Sequence, residues 1–303
     1  LGLARAMRGF DLVLTYNWGA MDAVVAHRLF GKALRLPPLV HHEDGFNQDE
    51  ALRLNPARNR YRRLGLAGAA ALVVPSQRLE QIALEEWHLP RAKVRRIANG
   101  IPLARYAIRP QPDAVPGLVK QPNDLWLGTL AGLRAVKNLP RLVRAFAAMP
   151  PPWKLVIVGE GPERAAILAE AARLGLDDRV FLPGFAPDPA AVVGLFDLFA
   201  LSSESEQFPI SVVEAMAAGL AVVSPAVGDV AAMVSAANAD WIVPAGDEAG
   251  LGSALGRAAA APQLRAAIGA DNRARALAEF DEAVMLAAYR DVYGQAMGRG
   301  SFP

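Results

Sequence analysis

The sequence predicts an α/β protein with two parallel β-sheets, each covered by helices on both faces. Two observations carry this prediction. Short apolar runs alternate with longer amphipathic segments along the chain, as expected for repeated strand–helix units. Hydrophobic residues make up 53% of the 303 residues, and a chain of this length can bury the cores of two modest domains.

The first part of the chain contains four predicted strands with helices between them. Each predicted strand is a short apolar run, and Ser76 is placed to cap the helix that follows it. The predicted strands are residues 12–15, 37–41, 70–74 and 94–98, and the predicted helices are residues 18–29 and 77–86.

A Pro-rich region without periodicity follows at residues 107–124, and such composition is typical of an interdomain connection. We therefore predict an N-terminal domain at 1–112, a linker at 113–123 and a second domain at 124–280. The remaining residues, 281–303, contain a last predicted helix.

The second domain repeats the alternation of strand and helix. Pro140 suits the start of one helix, and Asp247 suits the cap of another. The predicted strands are residues 125–130, 153–158, 180–182, 196–201, 221–224 and 241–243, and the predicted helices include 140–149, 163–174 and 282–297.

Composition excludes several classes of function. The chain has no cysteine, so it has neither a disulfide framework nor a catalytic thiol. Its four histidines have no metal-ligand spacing, so we expect no metal site. We find no secretory signal pattern and no run of 18 apolar residues, and we expect a cytoplasmic protein.

The most informative stretch is residues 202–219, which follows a predicted buried strand. Pro209 suits the first position of a helix, and Gly219 suits its end. Free N–H groups at a helix start suit a phosphate, and Glu206 and Glu214 could bind hydroxyls on either side of it. This layout fits a nucleotide sugar, although the spacing alone also fits a solvated loop before an ordinary helix.

The residues between these glutamates closely resemble the donor-binding signature of family 4 retaining glycosyltransferases, which have the GT-B fold. The resemblance implies that Glu206 holds hydroxyls of the donor sugar and that Glu214 holds the ribose hydroxyls. Backbone amides would meet the sugar or the phosphates at Phe208, Pro209 and Ile210.

The resemblance runs from about residue 10 to residue 298 and is strongest over 125–225. It implies two Rossmann-like parallel-sheet domains that face a cleft. The sequence departs from the family pattern at Gln207, where the family usually has glycine. The chain also begins with Leu1, and the family's first strands have no counterpart, so we expect an incomplete N-terminal domain.

A glycine-containing turn at residues 128–138 is the predicted diphosphate site. The family has an Arg and, five positions later, a Lys that bind the donor phosphates. Lys137 matches the Lys, but the Arg position falls on Gly132, and Arg134 lies two residues later. We expect Lys137 and Arg134 to stabilise the leaving diphosphate, with Arg134 also explicable as a surface charge.

The resemblance implies transfer with retention of anomeric configuration and without a metal. The leaving phosphate would accept the proton of the acceptor, so no carboxylate nucleophile is required. We expect no cofactor, because the nucleotide sugar is itself a substrate. The resemblance also places Gly159 beside the nucleotide, and it places Pro183 and Gly184 where main-chain groups contact the base.

A polar turn at residues 42–46 supplies two further catalytic candidates. Family members often have a histidine here that contacts the donor sugar or the acceptor, and His42 and Asp44 are the candidates. An ordinary turn explains Asp44 and Gly45 equally well.

Charge is distributed unevenly along the chain. Residues 1–115 carry 17 Lys and Arg against 10 Asp and Glu, whereas the remainder carries 15 against 20. Residues 53–63 include five arginines, which suit a phosphorylated lipid carrier or peripheral contact with the inner membrane face. A solvated helix face is the alternative interpretation, and we expect no nucleic-acid partner.

The leading hypothesis is a glycosyltransferase of polysaccharide biosynthesis, with a glycan or a lipid-linked saccharide as acceptor. The rival from another class is a catalytically inactive nucleotide-sugar-binding module, which Gly132 and the missing strands favour. Two other kinds of GT-B protein, an epimerase or a phosphorylase, remain open. A dinucleotide-dependent oxidoreductase is a distant alternative, because the Gly159–Pro162 turn lacks the third glycine of the dinucleotide-binding fingerprint.

Overall fold

A computed structural model describes residues 1–46, 48–50 and 53–300. The chain divides into two compact units. The N-terminal unit is Leu1–Asn99 together with the chain from Ala283 onward, and the C-terminal unit is Gly100–Glu282. The division lies ahead of the linker that we predicted at 113–123, because a 3₁₀ helix at Leu103–Ala107 already packs within the C-terminal unit.

The N-terminal unit holds, among its described residues, a parallel sheet in the order β1-β2-β3-β4. The helices around it include one, α3, whose start is capped by the side chain of Asn55. The elements are α1 (Gly2–Ala6), β1 (Val13–Tyr16), α2 (Met21–Leu34), β2 (Leu39–His42), α3 (Pro56–Leu66), β3 (Ala71–Val74), α4 (Gln77–Glu85) and β4 (Val94–Arg96).

The C-terminal unit holds a larger parallel sheet in the order β10-β9-β8-β5-β6-β7. Its elements are β5 (Leu125–Leu130), α5 (Leu139–Phe146), β6 (Trp153–Val158), α6 (Arg164–Arg173), β7 (Val180–Gly184), β8 (Leu198–Ala200), α7 (Ile210–Ala217), β9 (Val222–Pro225), α8 (Val230–Met233), β10 (Ile242–Val243), α9 (Glu248–Ala260) and α10 (Pro262–Glu279).

The central strands of both sheets are buried on their two faces, which explains why these strands are largely apolar runs. In β6, the side chains of Leu155, Val156 and Ile157 are all inaccessible to solvent although they point alternately to opposite faces. The helices on each side remove these faces from water, so the strand–helix alternation in the sequence leads directly to this architecture.

The helix caps that we predicted are confirmed. The hydroxyl of Ser76 accepts the backbone N–H of Leu79 at 3.0 Å, and the carboxylate of Asp247 accepts that of Gly250 at 2.8 Å. Each side chain satisfies a donor that the first turn of a helix leaves unpaired.

Two helices near the C-terminus complete the units. Helix α10, with 18 residues, has no counterpart among the predicted elements. A last helix, α11 (Glu282–Ala296), belongs to the N-terminal unit from Ala283 onward. There Val292 packs in one apolar cluster with Val40 and Val73 of the sheet.

Candidate functional site

The loop between β8 and α7 carries the sequence signature, and an arginine shapes its backbone. Strand β8 ends at Ala200 and α7 begins at Ile210. The buried guanidinium of Arg141 donates to the carbonyl oxygens of Ser202 and of Ser203, at 3.0 Å for the latter. Arg141 therefore fixes the start of the loop, a role that sequence reasoning missed.

Lys137 and Glu206 form the central ion pair of this site. The Nζ of Lys137 lies 2.5 Å from Oε1 of Glu206, and the Ser203 hydroxyl donates to the same oxygen at 2.6 Å. The Glu206 side chain is 10% exposed and that of Lys137 is 17% exposed. The pair joins residues 69 positions apart, and both side chains stay within reach of a ligand from solvent.

A cavity of about 390 Å³ lies beside α7 within the C-terminal unit. Its lining residues come from four separate segments of the chain. Three of these residues, Gly132, Gly159 and Glu214, were predicted to bind the donor. The lining residues that matter for a ligand are Gly132, Gly159, Glu160, Phe185, Ser211 and Glu214.

Glycine at position 159 is required for the shape of this cavity. Gly159 has a φ of +146°, and a Cβ there would overlap the carbonyl oxygen of Ala131. Its N–H donates to the carbonyl oxygen of Gly184 at 2.8 Å. The turns after β5, β6 and β7 therefore meet here, and Gly184 directly follows the predicted base contact Pro183.

Arg134 extends toward the position where Gly132 lacks a side chain. A Cβ placed on Gly132 would lie 3.6 Å from Nε of Arg134. The Arg134 side chain is exposed, and its guanidinium is free to approach a ligand beside Gly132. This geometry favours Arg134 as the residue that takes over the position of the expected arginine.

Glu214 projects from α7 into the cavity, and only 9% of its surface is exposed. The hydroxyl of Tyr106 donates to its Oε1 at 3.1 Å. Burial raises the pKa of Glu214, and the hydrogen bond from Tyr106 opposes that shift. Tyr106 was not among the predicted site residues, because nothing local in the sequence links two residues 108 positions apart.

The three residues at the start of α7 differ in what they offer a ligand. The ring of Phe208 is buried and packs edge-on against Phe280, with the ring centroids 5.6 Å apart. Pro209 has no N–H to donate, whereas Ile210 is exposed at the helix start. Only main-chain groups of this segment are therefore suited to contact phosphate.

Gln207, where the sequence departs from the family pattern, is held by a turn from another segment. Its carbonyl oxygen accepts the N–H of Asp229 at 2.9 Å. A Cβ on Gly228 would lie 2.6 Å from the carbonyl oxygens of both Glu206 and Gln207, so glycine permits this close approach. Gly228 is a second structural residue that sequence reasoning missed.

In the N-terminal unit, the structure separates the two candidates of the polar turn. His42 is 1% exposed and stacks on Tyr16 with the ring centroids 4.4 Å apart. Its Nε2 lies 3.0 Å from the hydroxyl of Tyr293, and burial lowers its pKa. Asp44 is exposed, and its N–H donates to Oδ1 of Asn17 at 2.7 Å. This turn therefore offers Asp44 rather than His42 to a ligand.

The five arginines of residues 53–63 also separate into two groups. Arg58 and Arg62 bond to the carboxylate of Glu50, with 3.0 Å between Nη1 of Arg58 and Oε2. The other three line a groove of about 500 Å³, and their side chains form no hydrogen bond or ion pair within the described part of the chain. We call this the arginine groove; its lining residues include Arg53, Arg60, Arg63 and Arg78.

The described residues contain neither a candidate metal site nor a membrane-spanning helix. In residues 1–46, 48–50 and 53–300, no three His, Asp or Glu side chains are grouped so that they could hold a metal ion. None of the helices in those ranges is both long and apolar enough to span a bilayer.

Comparison with known proteins identifies the family. Residues 112–275, more than half of the chain, match the family Glycosyl transferases group 1, and residues 1–105 match Glycosyltransferase Family 4. The N-acetyl-alpha-D-glucosaminyl L-malate synthase of Bacillus anthracis is 24% identical over 90% of this chain and 71% of its own. The 2-deoxystreptamine N-acetyl-D-glucosaminyltransferase of Streptomyces fradiae is 30% identical over 68% of this chain and 55% of its own.

Solved structures confirm the predicted GT-B fold class. Anabaena HepE in complex with UDP superposes with a TM-score of 0.81 at 23% identity, over 94% of this chain and 78% of that one. Sucrose-phosphate synthase from Thermosynechococcus elongatus gives a TM-score of 0.78 at 25% identity, over 97% and 75%. With two parallel-sheet α/β units and the family match over residues 112–275, the chain belongs to the glycosyl transferases group 1 family.

Proposed function

We propose that this protein transfers a sugar from a nucleotide-sugar donor to a glycan or lipid-linked saccharide, with retention of configuration and without a metal or cofactor. The observation that carries the proposal is the Lys137–Glu206 pair at 2.5 Å, in the same unit as the cavity that Glu214 lines. A cation, a carboxylate for sugar hydroxyls and a carboxylate for ribose hydroxyls are the groups that such a donor needs.

The proposed role of the cations follows from the charge that develops during transfer. As the bond between the sugar and the diphosphate breaks, negative charge grows on the leaving oxygen. We expect Lys137, Arg134 and the N–H groups at the start of α7 to stabilise that charge without a metal. Lys137 would exchange part of its contact with Glu206 for a phosphate oxygen when the donor binds.

Retention is proposed through attack on the face from which the leaving group departs. The bond between the anomeric carbon and the phosphate oxygen breaks, the bond to the acceptor oxygen forms on the same face, and the acceptor proton passes to the leaving phosphate. No enzyme nucleophile is needed in this scheme. Glu206 suits a sugar-binding role better than a nucleophilic one, because its Oε1 already accepts from Lys137 and Ser203.

UDP is the first nucleotide to test, because HepE has been solved with UDP and with UDP-glucose. Calorimetry of the whole chain with UDP, GDP and ADP should give binding of at least one nucleoside diphosphate. NMR of the product formed from the matching nucleotide sugar should show the anomeric configuration of the donor. The absence of binding by all three at millimolar concentration, or an inverted product, would contradict the proposal.

The proposal includes a peripheral contact between the arginine groove and an anionic membrane face. Three guanidinium groups without a partner in the described chain converge on this groove, with Glu86 as the acidic residue of its lining. Leu64, which follows Arg63 on α3, is 55% exposed. Unpaired cations beside an exposed apolar side chain suit phospholipid headgroups. A lipid-linked acceptor in the same membrane would then lie within reach of the protein.

Vesicle sedimentation tests this contact without requiring any donor. The protein should bind vesicles that contain phosphatidylglycerol but not pure phosphatidylcholine. The double substitution Arg60→Gln/Arg63→Gln should weaken binding by about 2 kcal/mol, roughly 30-fold, since each basic residue near an anionic surface contributes about 1 kcal/mol. Arg109→Gln/Arg164→Gln removes the same charge from exposed sites of the other unit and should have little effect. Equal losses in both double variants would exclude the groove as the binding surface.

A further inference from the structure

Tyr106 bonds to Glu214, which lines the donor cavity, from a segment that contains none of the predicted site residues. It lies in the 3₁₀ helix Leu103–Ala107, at the start of the C-terminal unit. Buried Leu103 anchors this helix, and Arg105 pairs with Asp188 at 2.6 Å. Both contacts lie just before Tyr106 in the chain and hold its segment in place, and the Tyr106 hydroxyl donates to Oε1 of Glu214 at 3.1 Å.

We infer that Tyr106 is a positioning residue for nucleotide binding, whose hydrogen bond keeps the Glu214 carboxylate ionised for the ribose of the donor. The inference rests on the proposed role of Glu214 and deepens it. A carboxylate can accept both hydroxyls of a ribose at once, whereas a protonated acid must donate one of its own hydrogens. Tyr106 occupies one lone-pair direction on Oε1 and leaves Oε2 for the ligand.

The surroundings of Glu214 explain why it needs this donor. The side chain is almost fully buried on α7, and burial raises its pKa, while the hydrogen bond from Tyr106 lowers it. Glu160 lines the same cavity, and Arg105 and Asp188 lie close enough to Tyr106 to influence its pKa. No other side chain in the described residues forms a hydrogen bond or ion pair with Glu214, so Tyr106 is the group that can hold it ionised.

Tyr106→Phe tests the inference through the pH dependence of UDP binding. Binding should be lost as pH falls through the pKa of Glu214, because the protonated acid accepts fewer hydrogen bonds. Removing the phenol hydroxyl should move that loss upward by about one pH unit, the size expected for a hydrogen bond to a charged group. At any pH below both pKa values the variant should bind UDP about tenfold more weakly, with the two proteins converging at high pH.

Tyr61→Phe is the matched control. Its hydroxyl donates to Oδ1 of Asp22 at 2.7 Å in the N-terminal unit, so this variant also loses one tyrosine–carboxylate hydrogen bond. Tyr61→Phe should leave the pH profile of UDP binding unchanged. A profile for Tyr106→Phe that coincides with that of the unsubstituted protein, or a loss of affinity that is equal at every pH, would overturn the inference.

A double-variant comparison separates this inference from the proposed function. In a Glu214→Gln background nothing titrates at position 214, so adding Tyr106→Phe should not change the pH profile further. A further pH shift in that background would show that Tyr106 acts elsewhere, and it would overturn the inference while leaving nucleotide binding intact. If the unsubstituted protein bound no nucleoside diphosphate, the proposed function itself would fail instead.

Discussion

Polar residues follow buried strands in both units, yet the two regions use them differently. At the end of β2, the side chains of His42 and Glu43 are almost inaccessible to solvent. After β8, Glu206 stays partly exposed beside Lys137, and Glu214 lines a cavity. Polar residues at the end of a parallel strand are therefore not sufficient for a ligand site; an adjoining cavity distinguishes the two cases.

The N-terminal polar residues are organised around Arg62 rather than around a ligand. Its guanidinium carbon lies 4.9 Å from the ring centroid of Trp18, and similar contacts join it to Phe46 and Trp87. The same buried side chain pairs with Glu50 at 3.0 Å. A charge with this many partners stabilises the unit internally, whereas Lys137 has a carboxylate partner that a phosphate could replace.

The largest effect should come from breaking the Arg62 network. Glu50→Ala leaves Arg62 buried without its bidentate partner and should lower the free energy of unfolding by about 3–5 kcal/mol. Asp49→Ala, the control, removes a mostly exposed partner of Arg58 and should cost under about 1 kcal/mol. Urea denaturation followed by tryptophan fluorescence measures both values, and equal losses would contradict the assigned role of Glu50.

The same network predicts an acid dependence of stability. Burial acts to raise the pKa of Glu50, but hydrogen bonds from Arg62, from the N–H of Asn55 and from Arg58 hold it at about 2. The folded-state pKa is therefore below the unfolded value of about 4.3. The stabilisation is complete above that value and is lost as pH falls toward 2. Glu50→Ala should lack this component of the acid unfolding curve.

In the C-terminal unit the largest effect should be on turnover. Lys137→Ala should lower kcat by a factor of about 10² to 10³, equivalent to 2.7–4 kcal/mol, because the charge that Lys137 meets grows in the transition state. Lys154→Ala removes a lysine that pairs with Asp124 at 2.7 Å in the same unit, and its kcat should be unchanged. An unchanged kcat in Lys137→Ala would remove Lys137 from the mechanism.

Substitution of Glu206 and of Glu214 should weaken the binding of different ligands. Glu214→Gln should weaken UDP and the intact donor alike, whereas Glu206→Gln should weaken only the intact donor, by about 1.5–3 kcal/mol for each charge-assisted hydrogen bond. Glu206→Gln also releases Lys137 from its ion pair, which gives a further reason for free UDP not to lose affinity. Calorimetry with both ligands measures the difference. Equal weakening of UDP by the two variants would contradict the division between sugar and ribose.

Local patterns were enough to predict most of the fold. The strands at residues 125–130 and 153–158 begin and end where the sequence indicates, because each is a largely apolar run, and Asp124, Pro152 and Gly159 mark their boundaries. Helix α10 escaped prediction. Its apolar positions are mainly alanine, and Arg265 and Asn272 are buried in it, so its inward face lacks the usual apolar stripe.

The site could be predicted only as far as its motifs reach. The signature brought Glu206, Glu214 and Lys137 to notice, but residues that act across the fold left no local signal. Tyr106 bonds to a residue 108 positions away, and Arg141 holds a loop some 60 positions away. The burial of His42 was equally invisible, since its neighbours Tyr16 and Tyr293 come from distant segments.

The smallest expected effect tests whether His42 is structural, as its burial indicates. Its Nδ1 lies 3.2 Å from the carbonyl oxygen of Thr15, and burial lowers its pKa below the ordinary value of about 6.5 despite opposing effects from Thr15 and Asp44. Below pH 6.5 the unfolded chain therefore binds a proton at this residue that the folded chain does not. The contribution of His42 to the free energy of unfolding is therefore complete above that pH. It is lost as pH falls toward the folded-state pKa, by at most about 1.4 kcal/mol per pH unit.

His42→Gln removes this titration, and the outcome distinguishes a structural residue from a catalytic one. The variant should be less stable at neutral pH because it loses the imidazole contacts with Tyr16 and Tyr293. The difference in free energy of unfolding between the variant and the unsubstituted protein should narrow by about 1 kcal/mol between pH 7 and pH 5.5, as measured by urea denaturation. The kcat of the folded variant should stay within a few-fold of its original value, because a buried, neutral imidazole with internal partners has no proton to exchange with substrate. A stability difference that does not change with pH, together with a loss of kcat by a factor of about 10² or more, would identify His42 as a general base. The active site would then include the end of β2.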